Sequence, residues 1–199
     1  LIPAHRLAAA VVPGSNTGCQ ALEENCLMAN ERYTRTNQKI YFAGLALEAC
    51  RKAEAARPAN ALGIIKAERE AAIFHLYGAL LGLCHEIAGY YRLAGPDVRQ
   101  AEQLLDPQVL AAAPSPELSE LIELAKRPES WLAQLLLSYQ ALYQPPQELK
   151  VAKVDPRLAL IEAVSLEQDE PELGLEQIES WRQSLKNLAM RFRETLVEW

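Results

Sequence analysis

Ala71, His75, Gly78, Gly82, His85 and Gly89 follow one another at spacings of four and three residues in turn. That repeat puts all six on one face of an α-helix. Histidines on such a face could move protons or hold a ligand. Glycines could let a ligand or another backbone come close. Three helical glycines cost about 1 kcal/mol each against alanine, so packing or binding has to offset them. The face is therefore expected to pack closely against a neighbouring helix, or else to form a narrow binding groove at His75, Gly78, Gly82, His85 and Gly89. The histidines are ten residues apart, about 15 Å along a helix axis. One metal ion cannot reach both, so each is expected as a hydrogen-bonded core histidine.

Arg69 precedes His75 in an Arg-x5-His spacing. An arginine can stabilise charge developing on a phosphate, and a histidine can transfer a proton. The pair resembles the catalytic motif of the higher-eukaryote-and-prokaryote nucleotide-binding (HEPN) ribonucleases, a family of small helical bundles. The resemblance implies a ribonuclease or another nucleotide-acting enzyme with Arg69 and His75 as catalytic residues. It covers two residues and an all-helical setting. Glu70 stands where that family usually carries a small polar residue. A second charged feature is the basic stripe Arg32, Arg35 and Lys39, flanked by Thr34, Thr36, Asn37 and Gln38. Such a stripe is a solvated helix face or a contact for phosphate or an acidic partner.

Other chemistries lack their residues. Di-iron bundles need Glu-x-x-His on two helices, and neither His75 nor His85 has a glutamate three positions earlier. His85-Glu86 lacks the second histidine of a zincin. There is no Walker loop and no GxGxxG. The four cysteines, Cys19, Cys26, Cys50 and Cys84, form no CxxC pair, and no histidine stands at zinc-ligand spacing from them. No metal or cofactor is expected. Cys50 and Cys84 sit in apolar helical patterns as small hydrophobes, which suggests a reducing, cytoplasmic compartment.

The net charge of the 199 residues is -6, which places nucleic acid behind protein as the expected partner. The charge is uneven. Residues 28–93 hold nine Lys/Arg against six Asp/Glu, and residues 94–199 hold ten against eighteen. The two halves are expected to complement each other across a folded interface. The longest uncharged apolar run, 71–84, is 14 residues long. That length suits a buried core helix, and no membrane contact is expected. Residues 1–27 read as a non-native or disordered extension ahead of Met28, leaving 28–199 as one helical domain.

The elements that would position these residues are helical. A first helix, 30–56, carries Ile40, Ala43, Leu47 and Cys50 on one face, with Asn30 as its N-cap. Pro58 ends it and Asn60 caps the next. The second, 61–93, is apolar over most of its circumference, so other elements must surround it. Short helices are predicted at 97–105, 117–126 and 129–143, the last with Pro128 in its first turn. Residues 144–172 hold four prolines and are the least regular stretch, with a short helix or strand at 158–164. A last helix, from 172 to the C-terminus, carries Leu175, Ile178, Trp181, Leu185, Leu188, Phe192 and Leu196 on one face.

The runs MANERYTRTNQKIYFAGLALEACRKAE and AEREAAIFHLYGALLGLCHEIAGYYRL, within 28–93, are similar to an uncharacterised domain-of-unknown-function family of small all-helical proteins. The resemblance implies a bacterial, cytoplasmic origin and no particular activity. The expected fold is all-α, a single bundle of five to six helices around the central helix at 61–93. The expected function is that of a non-enzymatic protein-interaction or regulatory protein with a protein partner. The alternatives are the HEPN-like ribonuclease and a small-ligand-binding bundle.

Overall fold

Two long helices dominate the computed structural model, which describes residues 17–93, 98–145 and 173–197, with side chains from 33 to 196 of these. Helix α1 spans Thr17–Ala56 and helix α2 spans Ala61–Tyr90. No proline interrupts 17–56, so α1 continues back through Asn30. Asn30 is an interior helical residue and not the predicted N-cap. A capping residue stops a helix only when its neighbours also leave helical geometry.

The chain reverses over four residues. Arg57 takes a left-handed φ of 46° and donates its backbone N–H to Ala53 at 3.0 Å. Pro58 cannot continue the helix. Asn60 holds the N-cap position of α2, but its side chain makes no capping bond. The Ala61 N–H is satisfied by the Pro58 carbonyl at 2.9 Å instead.

Helices α1 and α2 pack antiparallel along most of their described length. Small residues make this possible. Thr36, Ala43, Cys50 and Ala53 are buried along α1, and a Cβ on Gly82 of α2 would meet Thr36 Oγ1 at 2.6 Å. Farther along, the Cys50 thiol donates to the Ile65 carbonyl at 3.5 Å.

The remaining elements close around α2. A 3-10 turn lies at Ala101–Gln103, followed by α3 (Pro107–Ala112), α4 (Pro116–Lys126), α5 (Trp131–Ala141) and α6 (Leu175–Val197). Helix α2 touches α1, α4, α5, α6 and the 3-10 turn, as a helix apolar nearly all round requires. Leu76, Leu80, Leu83 and Ile87 of α2 are fully buried with Leu118, Leu121, Leu132, Leu135 and, from α6, Ile178, Trp181 and Leu185. The fold is the expected all-α bundle, with no strand among the described residues. By length and composition α2 could cross a membrane, but 72% of its apolar window is buried in this core.

Boundaries differ from expectation where local chemistry was misread. Asp106-Pro107 begins a further short helix, α3, between the predicted ones. The Asp106 carboxylate accepts from the Gln108 N–H at 2.8 Å, and Pro107 occupies the first turn. Pro128 precedes α5, whose N-cap is Ser130, accepting from the Ala133 N–H at 3.1 Å. The helix predicted at 97–105 is only the 3-10 turn within the described residues. Of the extension predicted at 1–27, residues 17–27 form the start of α1, while 1–16 and the element predicted at 158–164 lie outside the described residues.

Helix α2 stops at Tyr90, three residues short of the predicted end at 93. Leu93 N–H reaches back to the Ala88 carbonyl at 2.9 Å and Arg92 N–H to Gly89 at 3.4 Å. This is the Schellman pattern, which places the residue after the C-cap in the left-handed region. Arg92 occupies it with φ 51°, where glycine carries no Cβ penalty. Arg92 is exposed, so its side chain contributes little packing. Arg92→Gly is expected to stabilise the protein by roughly 1 kcal/mol, read as a higher urea midpoint at unchanged slope. A lower midpoint would show that the guanidinium does more than its exposure suggests.

Candidate functional site

The predicted groove is filled. On the face of α2 that carries His75, Gly78, Gly82, His85 and Gly89, helix α1 lies directly on Gly78 and Gly82. A Cβ on Gly78 would rest against the Lys39 stem at 3.4 Å, and one on Gly82 would collide with Thr36. Gly78 and Gly82 therefore serve close helix packing and do not line an open cleft. His85 Nε2 donates to the Val98 carbonyl at 2.8 Å, a core histidine's bond. Gly89 is half-buried near the helix end.

His75 has a different setting. Its ring lies 5.4 Å from Phe42 and 5.6 Å from Phe74, centroid to centroid. Burial first, then the Lys39 charge, pushes its pKa below the usual histidine value, which favours the neutral imidazole. Arg69 and His75, six residues apart, are about 9 Å apart in helical rise and point to different sides. Arg69 acts electrostatically on Cys50, whereas His75 sits between aromatic rings. Of the basic stripe, Arg35 is exposed. Lys39 instead folds over α2, its Nζ 5.4 Å from the Phe74 ring centroid. The Arg32 side chain lies outside the described ones. Among the described residues no three His, Cys, Asp or Glu converge as metal ligands would.

What the structure does assemble is a band of rings across three helices. Tyr41 and Phe42 of α1 are 6.3 Å apart, and Phe42 contacts His75. His75 contacts Phe74, which meets Tyr139 of α5 at 6.4 Å. Tyr139 lies face to face with Tyr77 at 3.6 Å and edge-on to Tyr143 at 5.3 Å. Every step but the closer Tyr77–Tyr139 stack falls within the range over which aromatic pairs attract. The band is not core. Tyr41 is 61% exposed, Phe74 45% and Tyr143 67%.

At one end the band borders an open cleft of about 650 Å³ lined by Tyr77, Arg99, Gln100, Glu102, Tyr139, Gln140 and Tyr143. The Tyr77 hydroxyl fixes its floor, donating to Glu102 Oε2 at 2.7 Å and accepting from the Ala101 N–H at 3.1 Å. Burial and the Glu102 carboxylate raise the Tyr77 phenol far above its ordinary pKa. Burial and the Tyr143 hydroxyl push Tyr139 up to about 12. These phenols stay neutral at physiological pH. They can donate hydrogen bonds and stack, but they are not activated as nucleophiles or bases, which need lowered values.

A second polar cluster is structural. Arg193 of α6 grips Glu86 of α2 through two bonds of 2.8 Å, donates to Asn37 at 2.8 Å and lies over the Tyr33 ring at 4.9 Å. Beside it the buried Glu117 accepts from Tyr91 at 2.8 Å and Thr195 at 2.9 Å. Their carboxylates are engaged within the protein, which ties α1, α2, α4 and α6 at one end of the bundle.

Sequence reasoning treated Phe74, Tyr77 and the other rings of α2 as core and did not single out Tyr139 or Tyr143. A signal existed. Phe74 and Tyr77 are three residues apart on one face of α2, and Tyr139 and Tyr143 are four apart across the C-terminal end of α5 and the turn that follows it.

No curated protein and no solved structure matches the chain. A family described as a family of unknown function (DUF6586) matches residues 28–199. The chain belongs to that family, and the matched segment of this chain contains the whole aromatic band and both polar clusters.

Proposed function

We propose that this protein acts by binding another protein across the aromatic band, without catalysing a reaction. The observation that carries this reading is the unbroken series of ring contacts from Tyr41 to Tyr143, with rings left open to solvent at both ends and in the middle. Exposed aromatic patches rimmed by polar groups mark interaction surfaces. Aromatic residues held rigid by their neighbours are the side chains that dominate interface energetics. The neutral phenols and the ring-flanked imidazole supply hydrogen bonds and contact area, with no activated group among them. We place the protein in a reducing, bacterial cytoplasm, a reading supported by two buried free thiols, Cys50 and Cys84.

The test is photo-crosslinking in the native host. A photo-reactive amino acid at Tyr143 is expected to give a discrete protein adduct. The same group at the exposed Glu70, on the polar first turns of α2, is expected to give none. Phe74→Ser should remove the Tyr143 adduct. Equal labelling from both positions, or none from Tyr143, would end the interaction reading.

A further inference from the structure

The band carries a charge pattern as well as rings. At its middle, the Lys39 ammonium hangs over the exposed Phe74 ring, and the exposed Arg35 stands one turn earlier on α1. At its far end Arg99 lines the cleft. Among the described residues Arg99 makes no hydrogen bond or ion pair. The one carboxylate among the described residues of the cleft lining, Glu102, already accepts the Tyr77 hydroxyl. Helix α5, which supplies Tyr139, has no charged residue between Trp131 and Ala141. Glu68 lies close enough to His75 to act on its charge, so the band sets Arg35, Lys39 and Arg99 against Glu68 and Glu102, in a chain whose net charge is -6. A surface whose local sign opposes that of the whole molecule selects its partner by charge.

We infer that the occupant of the band is an acidic linear segment of a partner protein, carrying an aromatic side chain as its anchor. The inference rests on the binding reading above and assigns it a partner chemistry. The anchor ring enters the cleft beside Tyr77, Tyr139 and Tyr143. Its flanking carboxylates meet Arg99 on one side and Lys39 on the other, where a guanidinium or ammonium makes charge-assisted bonds. Stacking supplies apolar contact area and the cations fix direction along the band. Single-stranded nucleic acid also combines planar rings with negative charge. It binds a basic groove that tracks its backbone over several nucleotides. Three cations spread over this band do not form such a groove.

Fluorescence anisotropy with the full chain tests this. The probe is a labelled eight-residue peptide of aspartates and glutamates around one tryptophan, at low salt. Binding is expected, with affinity falling as salt rises. Replacing the peptide tryptophan by alanine should weaken binding at least tenfold. So should Arg99→Glu, and Tyr143→Ser should weaken it severalfold. Both positions are exposed, so both variants are expected to fold, and circular dichroism checks that. Three results each overturn the inference: no binding of the acidic peptide, equal or tighter binding of a lysine peptide around tryptophan, or tighter binding of an eight-nucleotide thymidine oligomer. The two levels fail separately. A Tyr143 adduct in cells without acidic-peptide binding removes the charge assignment and leaves the interaction surface. Absence of the adduct removes both.

Discussion

Arg193→Ala is expected to destabilise the protein by about 3–5 kcal/mol, the range found when one member of a buried ion pair is removed. The reason lies in what is left behind. The Glu86 side chain is fully buried, while the Arg193 side chain is 18% exposed. Two bonds of 2.8 Å from the guanidinium now satisfy both oxygens of Glu86. Without them a carboxylate is stranded in a helix that is otherwise apolar nearly all round. The same substitution removes the bond to Asn37 and the stacking on Tyr33. The contact between α6 and the α1–α2 pair therefore loosens with it. Most of the cost belongs to the stranded charge and not to the net worth of the pair. Arg193→Met combined with Glu86→Leu is thus expected to recover most of the loss, because well-packed apolar replacements of buried ion pairs are often neutral or better. Urea titration of the single and double variants measures this. A loss below about 1 kcal/mol for Arg193→Ala, the size found for exposed pairs, would show that solvent reaches Glu86.

Much of this architecture was legible because periodicity reports burial. The predicted stripe on the last helix is the buried face of α6, from Ile178 through Trp181 and Leu185 to Phe192 and Leu196. The central position of α2 followed from its apolar circumference. The Glu86 clamp was legible in principle. Glu86 is the one charged residue between Ala71 and Tyr91, and a lone carboxylate in a buried helix needs a cationic partner. Nothing in sequence says that the partner stands on α6 at Arg193. The aromatic band was hidden for the opposite reason. Phe74 fits the helical stripe that includes Tyr77 and Cys84, yet it is 45% exposed while those two are buried. Periodicity assigns a residue to a face. It cannot say where a neighbouring helix ends and leaves that face open. The stacking of Tyr77 on Tyr139 needs the tertiary placement of α5, which helix signals alone do not give.

The glycine face supplies the other large expected effect. Gly82→Leu should destabilise the protein by about 3 kcal/mol or more, at or beyond the upper end of the usual overpacking cost. Even alanine there would set a Cβ 2.6 Å from Thr36 Oγ1 and 3.4 Å from Thr36 Cα. The first contact is with a side chain, but the second is with the backbone of α1. Leucine extends farther along the same direction, so α1 must move away from α2. That separation weakens the antiparallel packing of the two longest helices and, through α1, the Arg193 bond to Asn37. The alanine variant separates the opposing terms. Replacing a helical glycine with alanine gains about 1 kcal/mol in propensity, while the clash costs about 1–3 kcal/mol. Gly82→Ala alone is therefore expected to be destabilising, and Gly82→Ala with Thr36→Ala to recover much of the loss. A double-mutant cycle should give a coupling energy of about 1 kcal/mol or more, as for residues in direct contact. Additive effects would mean that the two side chains do not meet. Gly78→Ala is the internal comparison. The three atoms nearest its Cβ would all belong to the flexible Lys39 stem, the first at 3.4 Å, so the propensity gain should dominate and the variant should be neutral or more stable. Opposite signs at two glycines one turn apart would locate the closest approach of α1 at Thr36. They would also mark where the face stops being a packing seam and, through Lys39 and Phe74, joins the exposed band.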